Sequence, residues 1–390
     1  MPNSRVLISG ASIAGPALAY WLARYGFDVT VVEKAPQVRP GGQAVDFKGP
    51  VHRTVLQRMG IFDAVTQAAV ESPDGSVVDA DGRRLATVPG AFAGGEINIP
   101  RGDLARILHE LTADRCTYVF GDSITALDQT EDGVHVGFEH AAPQVFDLVV
   151  GADGIHSNVR RLAFGPEEDF VHHLGYAYAL AGLDVGGADE VAYSEPGRTV
   201  LLGGSKAPAF FVFASDALPS AREDVCAQKD QLVAAFSSGR WRLPELMAKV
   251  PGADEFYLDA IARVTLDRYA EGRVVLLGDA AYGNTLGGYG TGLALVGAYV
   301  LAGELAIASG NHETAFAGYA SKFRDYASIS QKVNAGRILA PRTRWGLRLR
   351  NTAFSSMALV APVLALLERP AAKLALDDYE QRIAALAVRG

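Results

Sequence analysis

The chain has 390 residues, of which 49% are hydrophobic and 21% are charged. This composition is typical of a folded globular protein and excludes an intrinsically disordered one, and the length allows about two or three domains. The formal net charge of −8 disfavours nucleic acid as a partner, because phosphate binding requires clustered Lys and Arg.

Cysteine content and hydropathy restrict the class of protein further. Cys116 and Cys226 occur without a CxxC pair or a metal-ligand cluster, so we expect no metal site and interpret both as buried apolar residues rather than a disulfide. Residues 1–5 run directly into a strand-like segment, which leaves no room for a signal peptide. The apolar stretch from Thr291 to Ala308 contains Glu304, and we interpret it as a buried helix rather than a membrane span. A cytoplasmic enzyme is expected.

The N-terminal segment has the pattern of a βαβ unit. Arg5 to Ser9 predict a strand, and Gly10 to Gly15 predict a tight turn. Apolar residues then recur at helical spacing until Gly26, and a second strand is predicted over Phe27 to Glu33.

The turn of this unit is a candidate dinucleotide site. In such a site glycines let the backbone approach a pyrophosphate, and the helix N-terminus offers free N–H groups. Gly10-Ala-Ser-Ile-Ala-Gly15 provides two of the three glycine positions, with Ser12 in place of the middle glycine. Glu33 stands 18 residues after Gly15, where a carboxylate can hold adenosine ribose hydroxyls. That carboxylate would repel a 2′-phosphate, so FAD or NAD is favoured over NADP.

Two later strands are also predicted to end in glycine turns. Asp147 to Val150 predict a buried strand that leads into Gly151-Ala-Asp-Gly154. Arg273 to Leu277 predict another, which leads into Gly278-Asp279 and then into a long apolar helix from Thr291 to about Ser309.

Three ordered motifs resemble those of a known family. The segment Val150-Gly-Ala-Asp-Gly-Ile-His-Ser-Asn-Val-Arg160 resembles a "DG" motif, and Arg273-Val-Val-Leu-Leu-Gly-Asp-Ala-Ala281 resembles a "GD" motif. Arg101 and Leu104, in Pro-Arg-Gly-Asp-Leu, match an arginine-containing helix start that borders a flavin. Together these residues resemble the class A flavoprotein monooxygenases, the family of para-hydroxybenzoate hydroxylase and of the tetracycline-inactivating flavoenzymes. Gly41-Gly-Gln-Ala-Val-Asp46 is similar to a flavin-adjacent loop of the tetracycline-inactivating group.

The resemblance implies an α/β fold with a Rossmann-type, glutathione-reductase-like FAD-binding domain, an inserted antiparallel β-sheet substrate domain and C-terminal helices. It implies that the DG motif lies at the FAD and NAD(P)H pyrophosphates and that the aspartate of the GD motif contacts the FAD ribityl chain. The cofactor-binding residues that we predict are Gly10, Ser12, Ala14, Gly15, Glu33, Lys34, Gln43, Ala44, Asp46, Arg101, Leu104, Ile124, Asp153, Gly278, Asp279, Gly290, Thr291 and Gly292.

The pattern of apolar and polar residues along the chain predicts where the inserted domain lies. From about residue 171 to 264 the sequence consists of short alternating segments, such as Glu190 to Tyr193 and Thr199 to Leu202. We predict a discontinuous FAD-binding domain (1–72, 97–170 and 265–330), a substrate-binding domain (73–96 and 171–264) and a C-terminal helical segment (331–390). Five arginines crowd together in the last segment, where they are typical of a solvated helix face.

The GD loop departs from the family pattern. Tyr282 replaces the usual histidine, no proline follows, and Gly288-Tyr289-Gly290 stands where the family has Gly-Gln-Gly. The helix beginning near Thr291 still directs N–H groups at whatever precedes it, and a reduced flavin's anionic edge suits that position.

The resemblance also implies the chemistry. NAD(P)H reduces FAD, O₂ adds at flavin C4a, and the resulting hydroperoxide passes an electrophilic oxygen to an electron-rich carbon, so no catalytic side chain is predicted. One Rossmann fingerprint implies that NADPH or NADH binds transiently. Arg160 is either a phosphate partner or part of a structural salt bridge.

The substrate is expected between the FAD layer and the inserted sheet, whose aromatic residues include Tyr178, Phe210 and Trp241. Alternation allows only about half of these residues to face one side. His172 and His173 are assigned no role. The candidate substrate contacts are Tyr176, Tyr193, Phe211 and Phe213.

Three functions remain open from the sequence. The first is a hydroxylase of an aromatic or polyketide-type substrate, including tetracycline-type antibiotics. The second is a flavin halogenase or reductase, although the halogenase signature Trp-x-Trp-x-Ile-Pro is missing from the sequence. The third is a flavin protein that sequesters a small molecule without turnover. A monomer or homodimer is expected.

Overall fold

The computed structural model describes residues 5–41, 43–71, 74–88, 96–186, 190–203, 209–216, 224–367 and 374–387. Gly42 of the predicted flavin-adjacent loop lies outside the described residues, as do the predicted segment ends at 1, 72, 73 and 390.

The strands form two large sheets and two small ones. They are β1 (Arg5–Ser9), β2 (Asp28–Glu33), β3 (Ala44–Phe47), β4 (Gly75–Val78), β5 (Arg84–Val88), β6 (Ile97–Pro100), β7 (Thr117–Phe120), β8 (Ile124–Gln129), β9 (Val134–Phe138), β10 (Gln144–Phe146), β11 (Leu148–Gly151), β12 (Val171–Ala181), β13 (Val191–Glu195), β14 (Arg198–Leu202), β15 (Ala209–Ala214), β16 (Phe256–Val264), β17 (Ala270–Glu271) and β18 (Val274–Leu276).

The helices fall between the strands and at the C-terminal end. They are α1 (Ala14–Arg24), α2 (Gly49–Met59), α3 (Phe62–Gln67), α4 (Arg101–Glu110), α5 (Asn158–Ala163), α6 (Val225–Phe236), α7 (Leu243–Lys249), α8 (Asp279–Tyr282), α9 (Gly290–Ile307), α10 (His312–Ala327), α11 (Ala335–Leu339), α12 (Arg344–Leu367) and α13 (Tyr379–Ala387).

The first large sheet brings the three predicted turns together. Its strand order is β17-β18-β11-β1-β2-β7, and β1, β2, β7, β11 and β18 pair in parallel. Val6, Leu7 and Ile8 of β1 are fully buried, as expected for a sheet covered on both faces. Since parallel strands end at the same edge, the turns that follow β1, β11 and β18 are neighbours.

The second large sheet has the order β16-β12-β15-β14-β13-β4-β5 and is mainly antiparallel. It takes strands from 75–88 and from 171–264. One face packs on α6 and α7 in a separate apolar cluster that includes Phe236 and Leu246. The predicted α/β fold, with an antiparallel sheet and C-terminal helices, is confirmed.

Helix α9 is buried on all sides. It is the one helix within the described ranges that is long and apolar enough to cross a membrane, but 83% of it is buried inside the protein. Glu304 in its last turn accepts hydrogen bonds from Lys322 (2.7 Å) and the Tyr379 hydroxyl (2.5 Å), so the charge is paired. The interpretation of this stretch as a buried core helix is confirmed.

The prediction for the cysteines is partly wrong. Cys116 and Cys226 are both free, as expected, but Cys226 is exposed. It stands in the first turn of α6, and its exposure shows that an apolar residue type alone does not fix which face of a helix is buried.

Candidate cofactor site

The turn after β1 requires its two glycines. Gly10 has φ +107°, and a Cβ there would lie 2.5 Å from the carbonyl oxygen of Ala152 in the neighbouring turn. A Cβ at Gly15 would lie 1.9 Å from the carbonyl oxygen of Gly10. Helix α1 begins at Ala14, and its N-cap residue Ile13 offers no side-chain hydrogen bond. The first N–H groups of α1 are therefore free to bind a phosphate.

Glu33 lies at the end of β2, beside this turn. Its carboxylate accepts hydrogen bonds from the backbone N–H of Ala11 (2.8 Å) and of Ala35 (2.9 Å). The side chain is 15% exposed, and a carboxylate has about four acceptor positions. Glu33 is thus fixed in orientation and keeps acceptor capacity for ribose hydroxyls.

The Asp153 carboxylate of the DG turn is occupied by hydrogen bonds from within the protein. It accepts hydrogen bonds from the Ser157 hydroxyl (2.5 Å) and the backbone N–H of Val159 (3.0 Å), and Ser9 Oγ lies at 3.5 Å. Burial raises the pKa of Asp153, and the hydrogen bonds from Ser157 and Val159 oppose that rise. The carboxylate therefore holds the start of α5 against β1.

Arg160 joins the DG turn to the GD turn. It is fully buried and donates to the carbonyl oxygens of Ala280 (2.9 Å) and Ile155 (2.6 Å), with Glu167 at 3.8 Å. Of the two alternatives for Arg160, the geometry favours the structural one.

The turns that follow β1, β11 and β18 border one cleft, and the GD turn presents the carboxylate of Asp279 to it. Gly278 has φ +65°, and a Cβ there would be 3.0 Å from the Cβ of Ala14 at the start of α1. Asp279 is exposed, and its Oδ1 lies 3.7 Å from the Cβ position of Gly290 at the start of α9. Although the Asp279 side chain opens onto the cleft, the protein around it desolvates the carboxylate; this desolvation raises the pKa of Asp279, and the Arg101 charge opposes the rise. No described residue donates a hydrogen bond to the Asp279 carboxylate.

Arg101 links the turns with the second sheet. Its guanidinium donates to the hydroxyl of Ser12 (2.8 Å), and its charge partly offsets the rise that burial causes in the pKa of both Asp279 and Tyr178. Its own N–H donates to the carbonyl oxygen of Gln43 (3.3 Å). Ser12, Gln43, Arg101 and Asp279 are thus gathered around one cleft.

Strands β3 and β6 form a ribbon that borders this cleft. Ala44 pairs with Pro100, the residue before Arg101. Asp46 forms an ion pair with Lys48 (2.9 Å), and Lys48 lies 5.6 Å from the centre of the Tyr289 ring.

Two predicted residues serve the packing around the cleft, and two others are more accessible. Leu104 is fully buried in the main core. Ile124 is also buried, and its carbonyl oxygen accepts from Asn158 at the start of α5. Lys34 is exposed in a shallow groove just after Glu33. Thr291 is half-buried in the first turn of α9.

Gly292 makes room for His52, a residue that no local pattern of the sequence marks as part of the site. A Cβ at Gly292 would lie 2.0 Å from the His52 ring. His52 is buried, its Nδ1 accepts from the backbone N–H of Lys48 (3.1 Å), and its Nε2 lies 3.2 Å from the Tyr326 hydroxyl. Burial lowers the pKa of His52 to about 4. A lone histidine in α2 carries no local signal for a partner 240 residues away.

The register of the second sheet separates the aromatic candidates. Tyr178 is paired with Val212 and with Asp259, so these side chains share one face. Leu286, from the loop between α8 and α9, packs in the same cluster as Tyr178 and Phe210. This face is therefore the one that meets the cofactor cleft.

Three of the four predicted substrate contacts lie on the other face. Phe211 and Phe213 pack on Phe236 of α6, with ring centres 5.3 Å and 5.9 Å apart, and Tyr193 packs on Trp241 at 5.3 Å. Tyr176 is on the near face but is buried against Gly336. The structure thus brings Tyr178 and Phe210, and not Phe211, Phe213 or Tyr193, to the cleft.

A chain of hydrogen bonds joins the DG turn to this face. His156 contacts Glu167 (2.7 Å) through Nδ1 and Asp259 (3.2 Å) through Nε2, and Asp259 accepts from the Tyr257 hydroxyl (2.7 Å). Tyr257 is 38% exposed, and its ring lies 5.8 Å from that of Tyr178. Phenol groups are therefore available at the cleft.

The fold and the site define a class of protein. Glycine turns that exclude any Cβ, an uncapped helix start, a fixed carboxylate at Glu33 and an exposed one at Asp279 converge at one sheet edge. These features fit an extended dinucleotide, with its pyrophosphate at α1. They define a dinucleotide-binding α/β fold of the Rossmann type.

Comparisons with known proteins agree with this class. The FAD binding domain family matches residues 3–177. An uncharacterized protein of Mycobacterium tuberculosis is 40% identical over 342 residues, which cover 84% of this chain and 91% of that protein. A flavin-dependent monooxygenase of Legionella longbeachae is 35% identical over 342 residues, which cover 85% and 87%. The structure of the tetracycline destructase Tet(55) has a TM-score of 0.81 and 33% identity, covering 97% of this chain and all of that one.

The chain belongs to the class A FAD-dependent monooxygenases and is similar to the tetracycline destructases. Its cofactor is accordingly FAD, and its substrates are a small molecule and O₂.

Proposed function

We propose that this monooxygenase uses NADPH or NADH to hydroxylate an aromatic or polyketide-type small molecule, with tetracyclines as one candidate class. The observation that carries the proposal is that the half-buried rings of Tyr178 and Phe210 lie on the face of the second sheet that meets the cleft containing Asp279. The likeness to a tetracycline destructase supports the polyketide class. We further propose the three-part domain division given above, and a cytoplasmic monomer or homodimer.

The residues around the cleft are proposed to hold the cofactor. The first N–H groups of α1 and the Ser12–Arg101 pair bind the pyrophosphate, Glu33 binds the ribose, and Asp279 accepts a hydrogen bond from the ribityl chain. The start of α9 directs its N–H groups at the flavin edge. When bound, FAD supplies the redox chemistry that activates O₂.

The second sheet is proposed to orient the substrate and exclude water. Burial raises the pKa of Tyr178 well above its usual value, so its hydroxyl stays protonated at neutral pH and donates to a substrate oxygen. Phe210 and Leu286 supply apolar surface, which keeps water from the reacting atoms.

The test compares two tyrosines of the same sheet. Y178F removes a hydroxyl at the cleft, and we expect kcat/KM for the best polyketide or phenolic substrate to fall about tenfold, the value of one hydrogen bond. Y193F, the matched control, removes a hydroxyl that donates to Glu195 on the far face, and kcat/KM should stay within about twofold.

Substrate-stimulated NADPH oxidation and product mass provide the readout. Wild-type enzyme should add one oxygen atom, with the label retained from ¹⁸O₂. Failure of every aromatic and polyketide compound in a broad panel to stimulate NADPH oxidation would refute the proposed substrate class. Equal losses in Y178F and Y193F would refute the assignment of the substrate face.

A further inference from the structure

Residues 326–367 differ in charge from the rest of the molecule. This segment contains no Asp or Glu and six basic residues, namely Lys332, Arg337, Arg342, Arg344, Arg348 and Arg350. The net charge of −8 is therefore the sum of +6 in this segment and −14 elsewhere. A local excess of one sign in an oppositely charged protein indicates an interaction surface.

The same segment carries the most exposed apolar side chains. Among the large hydrophobic residues that the structure describes, Trp345 (71%) and Leu349 (55%) are the most exposed, and Ile338 in α11 is 47% exposed. Trp345, Arg348 and Leu349 lie three and four residues apart in α12, so they form one stripe. We call the surface formed by Arg337, Ile338 and this stripe, with Arg344, the cationic ridge.

The opposite side of α12 fixes the cationic ridge in place. Arg350 is buried and donates to the carbonyl oxygen of Leu339 (2.6 Å) and to the hydroxyl of Ser194 (3.0 Å). Phe354 packs with Val77 and Ala86 of the second sheet. Because these inward contacts set the rotation of the helix, Trp345 and Leu349 are held in solvent.

The cations of the ridge are available to an external partner. Arg342 forms an ion pair with Asp216 (2.7 Å). Arg337, Arg344 and Arg348 are exposed, and no carboxylate of the described ranges forms an ion pair with them. The ridge thus presents free guanidinium groups between apolar side chains.

We propose that the cationic ridge binds the surface of an anionic lipid bilayer. A convex helix that alternates Arg with Trp, Leu and Ile suits the bilayer interface, where rings and aliphatic chains enter the headgroup region and cations meet lipid phosphates. Nucleic acid bases can stack on Trp345 but offer no site for the aliphatic side chains of Leu349 and Ile338, and an acidic protein would need a matching groove. The protein lies on the bilayer and does not span it.

The experiment is sedimentation of the holoenzyme with vesicles of phosphatidylglycerol and phosphatidylcholine, and with vesicles of phosphatidylcholine alone. Wild-type protein should sediment with the anionic vesicles, less so as salt rises, and should remain in solution with the neutral ones. R344Q/R348Q should lower the partition coefficient about 30-fold, since each charge near an anionic surface contributes about 1 kcal/mol. W345S/L349S should also lower it.

Matched control variants separate an effect of the cationic ridge from a general loss of surface charge or apolar surface. R106Q/R115Q removes two exposed arginines that lie outside the second sheet and outside residues 326–367, and L386S removes an exposed leucine of α13; both should bind like the wild type. The proposal is overturned if wild-type protein fails to bind anionic vesicles, or if the controls lose as much as the ridge variants. It is also overturned if W345S/L349S abolishes self-association while no vesicle binding is seen, because the ridge would then be an interface between two copies.

Discussion

The two aspartate turns of the parallel sheet contain the same residue types and use them differently. Asp153 follows β11 and is occupied by hydrogen bonds from Ser157 and Val159. Asp279 follows β18, is exposed, and faces the start of α9. A motif aspartate can therefore serve a cofactor either by shaping a turn or by touching the ligand, and only its hydrogen-bond partners distinguish the two roles.

The largest effect should come from Asp153. D153A removes the acceptor for Ser157 and Val159, and we expect about 2–3 kcal/mol less free energy of unfolding. D153N keeps an oxygen acceptor for the Val159 N–H, and its amide NH₂ can donate to the Ser157 hydroxyl oxygen, so its loss should be below about 1 kcal/mol. Urea denaturation of the FAD-free proteins measures both. If D153A unfolds at the wild-type urea concentration, Asp153 has no structural role.

A loss of stability of similar size should appear at low pH because of His52, which packs against the start of α9 near the Asp279 turn. Its pKa is about 4 in the folded protein and about 6.5 unfolded, so the unfolded state binds the proton more readily. Stability is therefore constant above about pH 6.5 and falls between pH 6.5 and 4, by about 2 kcal/mol from pH 7 to 4.5.

The variant H52Q tests that assignment. Gln can accept from the Lys48 N–H and donate to Tyr326 but does not titrate, so the fall between pH 7 and 4.5 should shrink by about 2 kcal/mol. Urea denaturation at several pH values is the measurement. Identical pH slopes for H52Q and wild-type protein would contradict the buried neutral histidine.

The smallest effect should come from Asp279. D279A removes an exposed carboxylate, so stability without FAD should change by less than about 0.5 kcal/mol. Loss of one hydrogen bond to the ribityl chain should weaken FAD binding about tenfold. Fluorescence titration with FAD measures this. A D279A variant that is unstable but binds FAD normally would reverse the roles of the two aspartates.

Local patterns of the sequence predicted the strands and glycine turns that meet at the edge of the first large sheet. Gly10, Gly15, Glu33 and Gly278 each follow a strand within a few residues, so spacing along the chain fixes their place at the sheet edge. The placement of Asp153 and Asp279 at the cofactor came from the resemblance of the DG and GD motifs to a known family, and the sequence did not show that Asp153 is occupied by Ser157 and Val159.

Long-range packing limited the prediction of the second sheet. Alternation shows that Phe210 and Phe211 face opposite sides, but the side that meets the cleft is set by α6, α7 and the loop containing Leu286. His52 and His156 were missed for the same reason, because their partners Tyr326 and Asp259 are more than 100 residues away. Sequence patterns thus determine which residues of a strand share a face and the order of the strands along the chain. Tertiary contacts determine which face meets the cleft.

Titration of purified wild-type protein with FAD tests the central claim, the convergence of three turns on one dinucleotide. The claim predicts flavin absorbance in the purified protein, or saturable uptake of one FAD per chain, with no displacement by excess NAD. A colourless protein that takes up no FAD, or a protein that binds NAD in its place, would contradict it.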